Sequence, residues 1–302
     1  MPDTDNNNDT LRISLHCPSV PLNAPSLSGY CQKLETIFRL VSFDKYTLVP
    51  TAFRASPTGK LPFITIHHHQ NDGDGGSVAP AAEVIADSHF IVRKLIERGI
   101  IPDPDAALTE AQKADSRALS IWTEHHLYLA VVQQRWARDH NARVVIPTLP
   151  LPWLGRPLIA WYLRRSIVSS LWTNGIGRYT DAEIDEFVTE WLQALEVRLA
   201  DGREWLLSPP PPPPGAGDAT GNRNNDDDGA TPYMVDATVW AFLVNCLGIG
   251  EGNTEVVAGI RKRPGVCSFI RRGAARWFPE YDVEKMLDAP SSSLSSSSSS
   301  SP

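Results

Sequence analysis

The segment at residues 56–64, SPTGKLPFI, most constrains what this chain can fold into. Pro62 stands at the start of the apolar run 63–66, and a proline is tolerated as the first residue of a strand because it has no N–H to donate. The turn at residues 57–59 favours a cis Leu61–Pro62 bond, a form that about 5% of X-Pro bonds adopt. Such a bond would turn the backbone groups of Leu61 away from the sheet, where they can hydrogen-bond an extended peptide.

A second motif, Asp87-Ser88, predicts the start of an amphipathic helix. The first N–H groups of a helix have no acceptor inside it, so they provide a seat for a carboxylate. Together with Lys60, Leu61 and Pro62, this motif predicts a site for a peptide-shaped anion. The alternative is a thioredoxin-like domain that keeps Pro62 for folding and Asp87 as an ordinary helix cap.

Composition limits the classes of function. The chain of 302 residues is long enough for two domains, and its net charge of −7 argues against a nucleic-acid partner, which needs a basic face. Its four cysteines form no C-x-x-C pair and are expected to be free thiols. No secretion signal is evident, and the longest apolar stretch, residues 149–163, is shorter than the roughly 20 residues of a membrane span. We therefore expect a cytoplasmic protein without an integral membrane segment.

Periodicity predicts an α/β thioredoxin-like domain over residues 11–101, after a disordered arm at residues 1–10. Alternating apolar residues from Leu11 predict a strand, a helical stripe follows from Leu34, and residues 46–49 form the next strand. Strands at 63–66 and 82–85 and the helix after Asp87 complete the order βαβ-ββα. The histidines at residues 67–69 favour a solvated turn over a metal site, since neighbouring side chains of an extended chain point to opposite faces.

Residues 106–285 predict an all-helical C-terminal domain. A capping box at Thr109 and Gln112 opens a helix that carries Trp122 and His125, which we expect to face a second substrate, with core packing as the alternative for Trp122. Further helices are expected at 153–172, after Thr180, at 235–243 and at 266–277. The proline-rich and Asn/Asp-rich residues 208–230 indicate a disordered insertion, and residues 289–302 a disordered serine-rich tail.

The tetrapeptide Ser28-Gly29-Tyr30-Cys31 lies at the predicted start of the first helix. Ser28 either donates a hydrogen bond to a ligand thiolate or only caps the helix. Cys31 is the alternative catalytic residue, because a helix N-terminus stabilises a thiolate. With serine at position 28, Cys31 has no partner for a dithiol cycle.

These motifs resemble a known family. Gly59-Lys60-Leu61-Pro62 with Asp87-Ser88 is similar to the glutathione site of the glutathione S-transferase superfamily. The chain also resembles the metaxin-like branch of this superfamily, whose relatives include the failed axon connections proteins. The similar residues are 28–36, 56–64, 85–91, 124–128, 175–178 and 235–237. The resemblance implies the transferase architecture, glutathione as co-substrate bound by Lys60, Leu61, Pro62, Asp87 and Ser88, and thiol handling by Ser28 or Cys31.

For function, the resemblance implies a detoxifying transferase that conjugates glutathione to, or reduces, a small hydrophobic or electrophilic substrate, and it allows a homodimer. The alternative is a non-catalytic metaxin-like adaptor; metaxins proper are import adaptors at the mitochondrial outer membrane, so peripheral association there is a further expectation. The chain departs from the superfamily at Tyr233, which replaces the Ser or Thr before the buried Asp236. The folding role of Asp236 is therefore open.

Overall fold

The computed structural model describes residues 11–18, 23–52, 55–68, 82–149, 151–211 and 230–288. The predicted N-terminal arm, the predicted C-terminal tail and residues 212–229 of the predicted insertion lie outside these ranges. So do residues 69–81, which include His69.

The N-terminal region is built on one four-stranded sheet. Its strands are β1 (Leu11–Cys17), β2 (Tyr46–Pro50), β3 (Phe63–His68) and β4 (Glu83–Ala86), in the order β2-β1-β3-β4. β1 and β2 are parallel, joined by helix α1 (Gly29–Leu40), whereas β3 runs antiparallel to both β1 and β4. Helix α2 (Ser88–Glu97) follows β4. The predicted βαβ-ββα thioredoxin-like fold is confirmed.

Register explains why one face of this sheet is apolar. Ile13 pairs with Ile66 and Leu15 with Ile64, so their side chains share a face. That face is covered by α1 and α2 and forms a core with Phe38 and Leu95. Phe90, in the first turn of α2, does not belong to this core and is 53% exposed.

The remaining chain is helical. Its helices are α3 (Glu110–Ile121), a π-helical turn (Trp122–Leu127), α4 (Tyr128–Ala137), α5 (Asp139–Thr148), α6 (Arg156–Thr173), α7 (Asp181–Leu199), α8 (Met234–Ile249), α9 (Thr254–Arg261), α10 (Pro264–Trp277) and α11 (Val283–Asp288). The predicted helix at 153–172 begins only at Arg156, since Gly155 takes a left-handed conformation (φ 77°) and Pro157 fits the first helical turn. The sequence did not predict α5, α9 or α11.

Helix α8 is the centre of the helical region, with thirteen of its sixteen residues buried. Asp236 fixes its start: the carboxylate accepts hydrogen bonds from the backbone N–H groups of Leu206 (2.7 Å) and Tyr233 (2.8 Å). Burial raises the pKa of Asp236 to about 7, against the effect of these two bonds. Because Asp236 binds the backbone of residue 233, it anchors the helix without the Ser or Thr that Tyr233 replaces.

Among the described residues, one helical run, Met234–Arg261, has the length and apolar composition of a membrane span, and 72% of its most apolar window is buried inside the fold. It contains α8 and α9, so its apolar side chains serve the core of the helical region.

Candidate functional site

The two predicted halves of the ligand site meet at the end of β3. The Leu61–Pro62 bond is cis, as predicted. The sheet ladder begins at Phe63, which leaves the backbone of Leu61 outside it. The carbonyl of Pro62 accepts the N–H of Asp87 (3.3 Å), so the strand start and the helix start are joined directly. Lys60, beside them, is exposed.

Asp87 and Ser88 have different roles at the start of α2. The Asp87 carboxylate caps the helix by accepting the N–H groups of His89 (2.9 Å) and Phe90 (3.4 Å). Two of the helix-end donors that we assigned to a ligand are therefore occupied by the protein itself. Fewer N–H groups are therefore free to bind an anion than the sequence predicted.

Ser88 provides the remaining hydrogen-bond donors at the start of α2. Neither its N–H nor its hydroxyl has a protein acceptor among the residues that the structure describes, although Ser88 is only 3% exposed. A bound anion or water can accept hydrogen bonds from these donors. Ser88 is thus the residue of this site most suited to a ligand.

A cation from the helical region lies next to this helix start. Arg117 on α3 approaches His89, with Nη1 3.3 Å from Nδ1. Burial lowers the pKa of His89, and the charges of Arg117 and Lys33 lower it further. The sequence did not indicate Arg117 or His89, because two residues so far apart in the chain share no local pattern.

Hydrogen bonds within the protein occupy the polar groups at the start of α1, and for this reason we call this helix start closed. The Ser28 hydroxyl accepts the N–H of Cys31 (3.4 Å), which confirms the predicted cap, and Ser28 N–H donates to Ser26 Oγ (3.3 Å). Ser26 in turn donates its N–H to Gln32 (2.8 Å) and accepts from Asn245 of α8 (2.6 Å). The turn is therefore held to both α1 and α8.

Cys31 lies beneath this turn and is 2% exposed. Burial raises the pKa of its thiol above the ordinary value, and this outweighs the opposing hydrogen bonds of the Ser28 and Ser26 hydroxyls. Cys17, in the same small cluster, has a pKa raised to about 11, mainly by burial. Both thiols are thus protonated at neutral pH, the opposite of what a cysteine nucleophile needs.

Trp122 and His125 lie on the π-helical turn and do not join the two helix starts. Trp122 packs against the core of the helical region, and His125 is exposed. Glu124, between them, faces α1: its carboxylate forms a buried ion pair with Lys33 (2.8 Å), and its carbonyl accepts the hydroxyl of Tyr30 (2.7 Å). A π-helical turn changes the angular spacing of side chains, so regular helical periodicity could not predict which residue faces the first domain.

The family model for the glutathione S-transferase N-terminal domain matches residues 29–141. The match begins at the first residue of α1 and includes the cis proline, Asp87, Ser88 and Glu124. Residues 29–141 therefore contain a glutathione S-transferase N-terminal domain.

A metaxin-1 homolog from Caenorhabditis briggsae is 24% identical to the chain over 224 residues, which cover 74% of this chain and 61% of that protein. The chain therefore matches less than two thirds of the length of this superfamily relative.

Two solved structures of the superfamily also align with the chain. Glutathione transferase Omega 2C from Trametes versicolor has a TM-score of 0.49 and 12% identity, covering 91% of this chain and 95% of its own. Human glutathione S-transferase T1-1 has a TM-score of 0.48 and 13% identity, with 91% and 87% covered. The architecture assigned here rests on the order of strands and helices described above.

Proposed function

We propose that this chain is a non-catalytic binding protein of the superfamily, one that holds a small peptide-like anion such as glutathione and does not activate its thiol. The observation that carries the proposal is the difference between the two helix starts. Ser88 presents uncommitted donors, whereas the turn at Ser28 is closed and Cys31 is buried. Such a protein would act as an adaptor whose groove is occupied without turnover.

The groove fits the shape and charge of such a ligand. The backbone of Leu61 lies outside the ladder and can pair with an extended peptide, while Ser88 and the start of α2 can accept a carboxylate. Arg117, next to His89, adds positive charge close to that carboxylate. Lys60 is exposed beside Leu61, where it can meet a second carboxylate.

The similarity to the metaxin-1 homolog supports the proposed adaptor function. The closed start of α1 supports it as well. With this proposal we place the protein in the cytoplasm, in peripheral association with the mitochondrial outer membrane. No group of three or more His, Cys, Asp or Glu residues in the described part of the chain is placed to hold a metal ion.

A second candidate function is a glutathione transferase that acts on a small hydrophobic or electrophilic substrate, as in detoxification. One observation favours it: the Ser28 hydroxyl lies at the positive end of α1, where it can donate to a thiolate. This function requires the Ser26 to Ser28 turn to open, since Ser28 is 6% exposed.

Calorimetry and a conjugation assay distinguish the two functions. We expect reduced glutathione and S-methylglutathione to bind with equal affinity, because no group of the protein would depend on the free thiol. Ser88→Ala should weaken both by about tenfold, the loss of one hydrogen bond to a charged group. Ser169→Ala, at an exposed serine of α6, is the matched control.

No glutathione-dependent conjugation of 1-chloro-2,4-dinitrobenzene above the uncatalysed rate is expected. Conjugation that disappears in Ser28→Ala would establish the transferase instead. A protein that binds neither glutathione nor its S-methyl derivative would refute the proposed ligand.

A further inference from the structure

Helix α6 and the turn before it present an unusual amount of apolar surface. Seven of the twelve exposed large apolar side chains in the described residues lie between residues 153 and 172. The most exposed is Trp153 (85%), followed by Leu154 (73%) and Leu158 (70%). Isolated exposed apolar residues are normal, but a contiguous group marks an interaction surface.

These side chains lie on one side of the helix. Within α6, Trp161, Tyr162 and Trp172 follow Leu158 by three, four and fourteen positions, which places all four along one stripe. The helix contacts the body of the protein through Ala160 and Leu171, its two buried residues. We call the outward stripe, with the two residues of the preceding turn, the α6 apolar face; it consists of Trp153, Leu154, Leu158, Trp161, Tyr162 and Trp172.

The charge around this face is opposite to that of the whole protein. Residues 140–180 contain five arginines and no Asp, Glu or Lys, in a chain whose net charge is −7. Arg164 is paired with Asp139 (2.7 Å). Arg165 has no carboxylate partner in the part of the chain that the structure describes, and its guanidinium lies 5.8 Å from the ring centroid of Trp161. Arg178 lies 5.9 Å from the ring centroid of Trp172.

We propose that the α6 apolar face docks onto the surface of a membrane that contains anionic lipids. Trp and Tyr favour the headgroup region, where their rings meet the acyl boundary and their polar atoms meet water. Helices that lie in this plane combine such an apolar face with flanking Lys or Arg. Anionic headgroups attract arginines that lie close to the surface.

The same charges disfavour a second copy of this chain as the occupant. In a two-fold symmetric contact the patch would face itself. That contact would bring the arginines around the two faces together, while the same segment supplies no carboxylate to compensate them. A lipid surface supplies the missing negative charge and also takes up the tryptophans.

Flotation of the full chain with lipid vesicles tests this proposal. We expect binding to vesicles of phosphatidylcholine with phosphatidylserine, weaker binding at high salt, and much weaker binding to phosphatidylcholine alone. Trp161→Glu should reduce binding to the anionic vesicles by about tenfold or more, because a large apolar side chain is lost from the interface. Val197→Glu, at a comparably exposed apolar residue of α7 (64%), should leave it unchanged.

Arg165→Glu separates the charge contribution from the apolar one. It should weaken binding to anionic vesicles but not to phosphatidylcholine vesicles. Arg93→Glu, at an exposed residue of α2, should leave binding to both kinds of vesicle unchanged. Circular dichroism of each variant shows whether it has folded, and none of these side chains is buried.

Four results would overturn the proposal. The first is wild-type protein that does not float with anionic vesicles, and the second is Trp161→Glu that floats as well as wild type. The third is wild-type protein that is dimeric by light scattering and becomes monomeric on Trp161→Glu without any vesicle binding, which would assign the face to a contact between copies. Capture by immobilised polyglutamate but not by vesicles would point to an acidic protein partner and also count against a membrane.

Discussion

Helices α1 and α2 both begin beside the Leu61–Pro62 turn with a polar cap, yet only one of them retains donors for a ligand. Nine of the twelve residues of α1 are buried, against four of the ten in α2. α1 lies between the sheet and α8, where Gly29 is so close to Phe242 that a Cβ at this position would be 2.9 Å from the ring. A helix start becomes a ligand site only where no other element has covered it.

The buried pair Lys33–Glu124 holds α1 against the helical region, and α2 has no counterpart of it in the described residues. Side-chain exposures of 4% and 5% mean that neither charge is solvated. Removing one partner of such a pair leaves the other buried and uncompensated. The closed state of the α1 start should therefore depend on this pair.

Lys33→Met should have the largest effect. Loss of the cation leaves the Glu124 carboxylate buried alone, and we expect the free energy of unfolding to fall by about 3–5 kcal/mol, measured by urea denaturation. The double variant Lys33→Met with Glu124→Leu should recover much of this loss because both charges are gone. Arg93→Met, which breaks the exposed pair with Glu97 on α2, should cost less than about 1 kcal/mol. Equal losses of stability in Lys33→Met and Arg93→Met would show that α1 is no more firmly held than α2.

The two caps offer a second test. Ser28→Ala and Asp87→Ala should each lower the free energy of unfolding by about 1 kcal/mol, since each removes a helix cap. They should differ in ligand binding: glutathione affinity is expected to stay unchanged in Ser28→Ala and to change in Asp87→Ala, whose carboxylate orders the start of α2. Thermal melts and calorimetry on the same samples give both quantities. An affinity change in Ser28→Ala as large as in Asp87→Ala would mean that both starts contact the ligand.

The smallest expected effect is the pH dependence that Cys31 contributes. Burial raises the pKa of this thiol in the folded state. The folded protein therefore keeps the proton, while the unfolded chain loses it above a pKa of about 8.5. Stability should fall as pH rises through that value, by less than about 1 kcal/mol between pH 7 and pH 9.

Urea denaturation of wild type and Cys31→Ala at both pH values measures this contribution. The variant should show a weaker fall by that amount. An identical pH dependence, or rapid reaction of Cys31 with a thiol reagent in the native protein, would mean that the α1 start opens in solution.

Two apolar helices show where the sequence stops being informative. Both helices carry apolar residues along their length, although α8 is apolar nearly all round and α6 also has three arginines and three serines. Yet α8 buries thirteen residues and α6 only two. An apolar helix is covered only if the rest of the fold supplies a surface for it, and for α8 this surface comes from α1, α3 and α10.

The sequence by itself determined the features that depend on neighbouring residues. The strand alternation from Leu11, the capping box at Thr109, the cis bond before Pro62 and the cap at Ser28 are all present in the structure. Each arises from local backbone geometry, so a short window of sequence contains its cause. The resemblance to the glutathione S-transferase superfamily likewise depended on short motifs, Gly59-Lys60-Leu61-Pro62 and Asp87-Ser88.

Only the tertiary structure decided which of the local features can bind a ligand. Lys33 finds Glu124 across 91 positions of the chain, and Asn245 reaches Ser26 across 219. These contacts close the start of α1, bury Cys31 and leave Ser88 as the uncommitted donor. Burial and hydrogen-bond partners at such separations depend on how whole elements pack, and that information is present only in the folded chain.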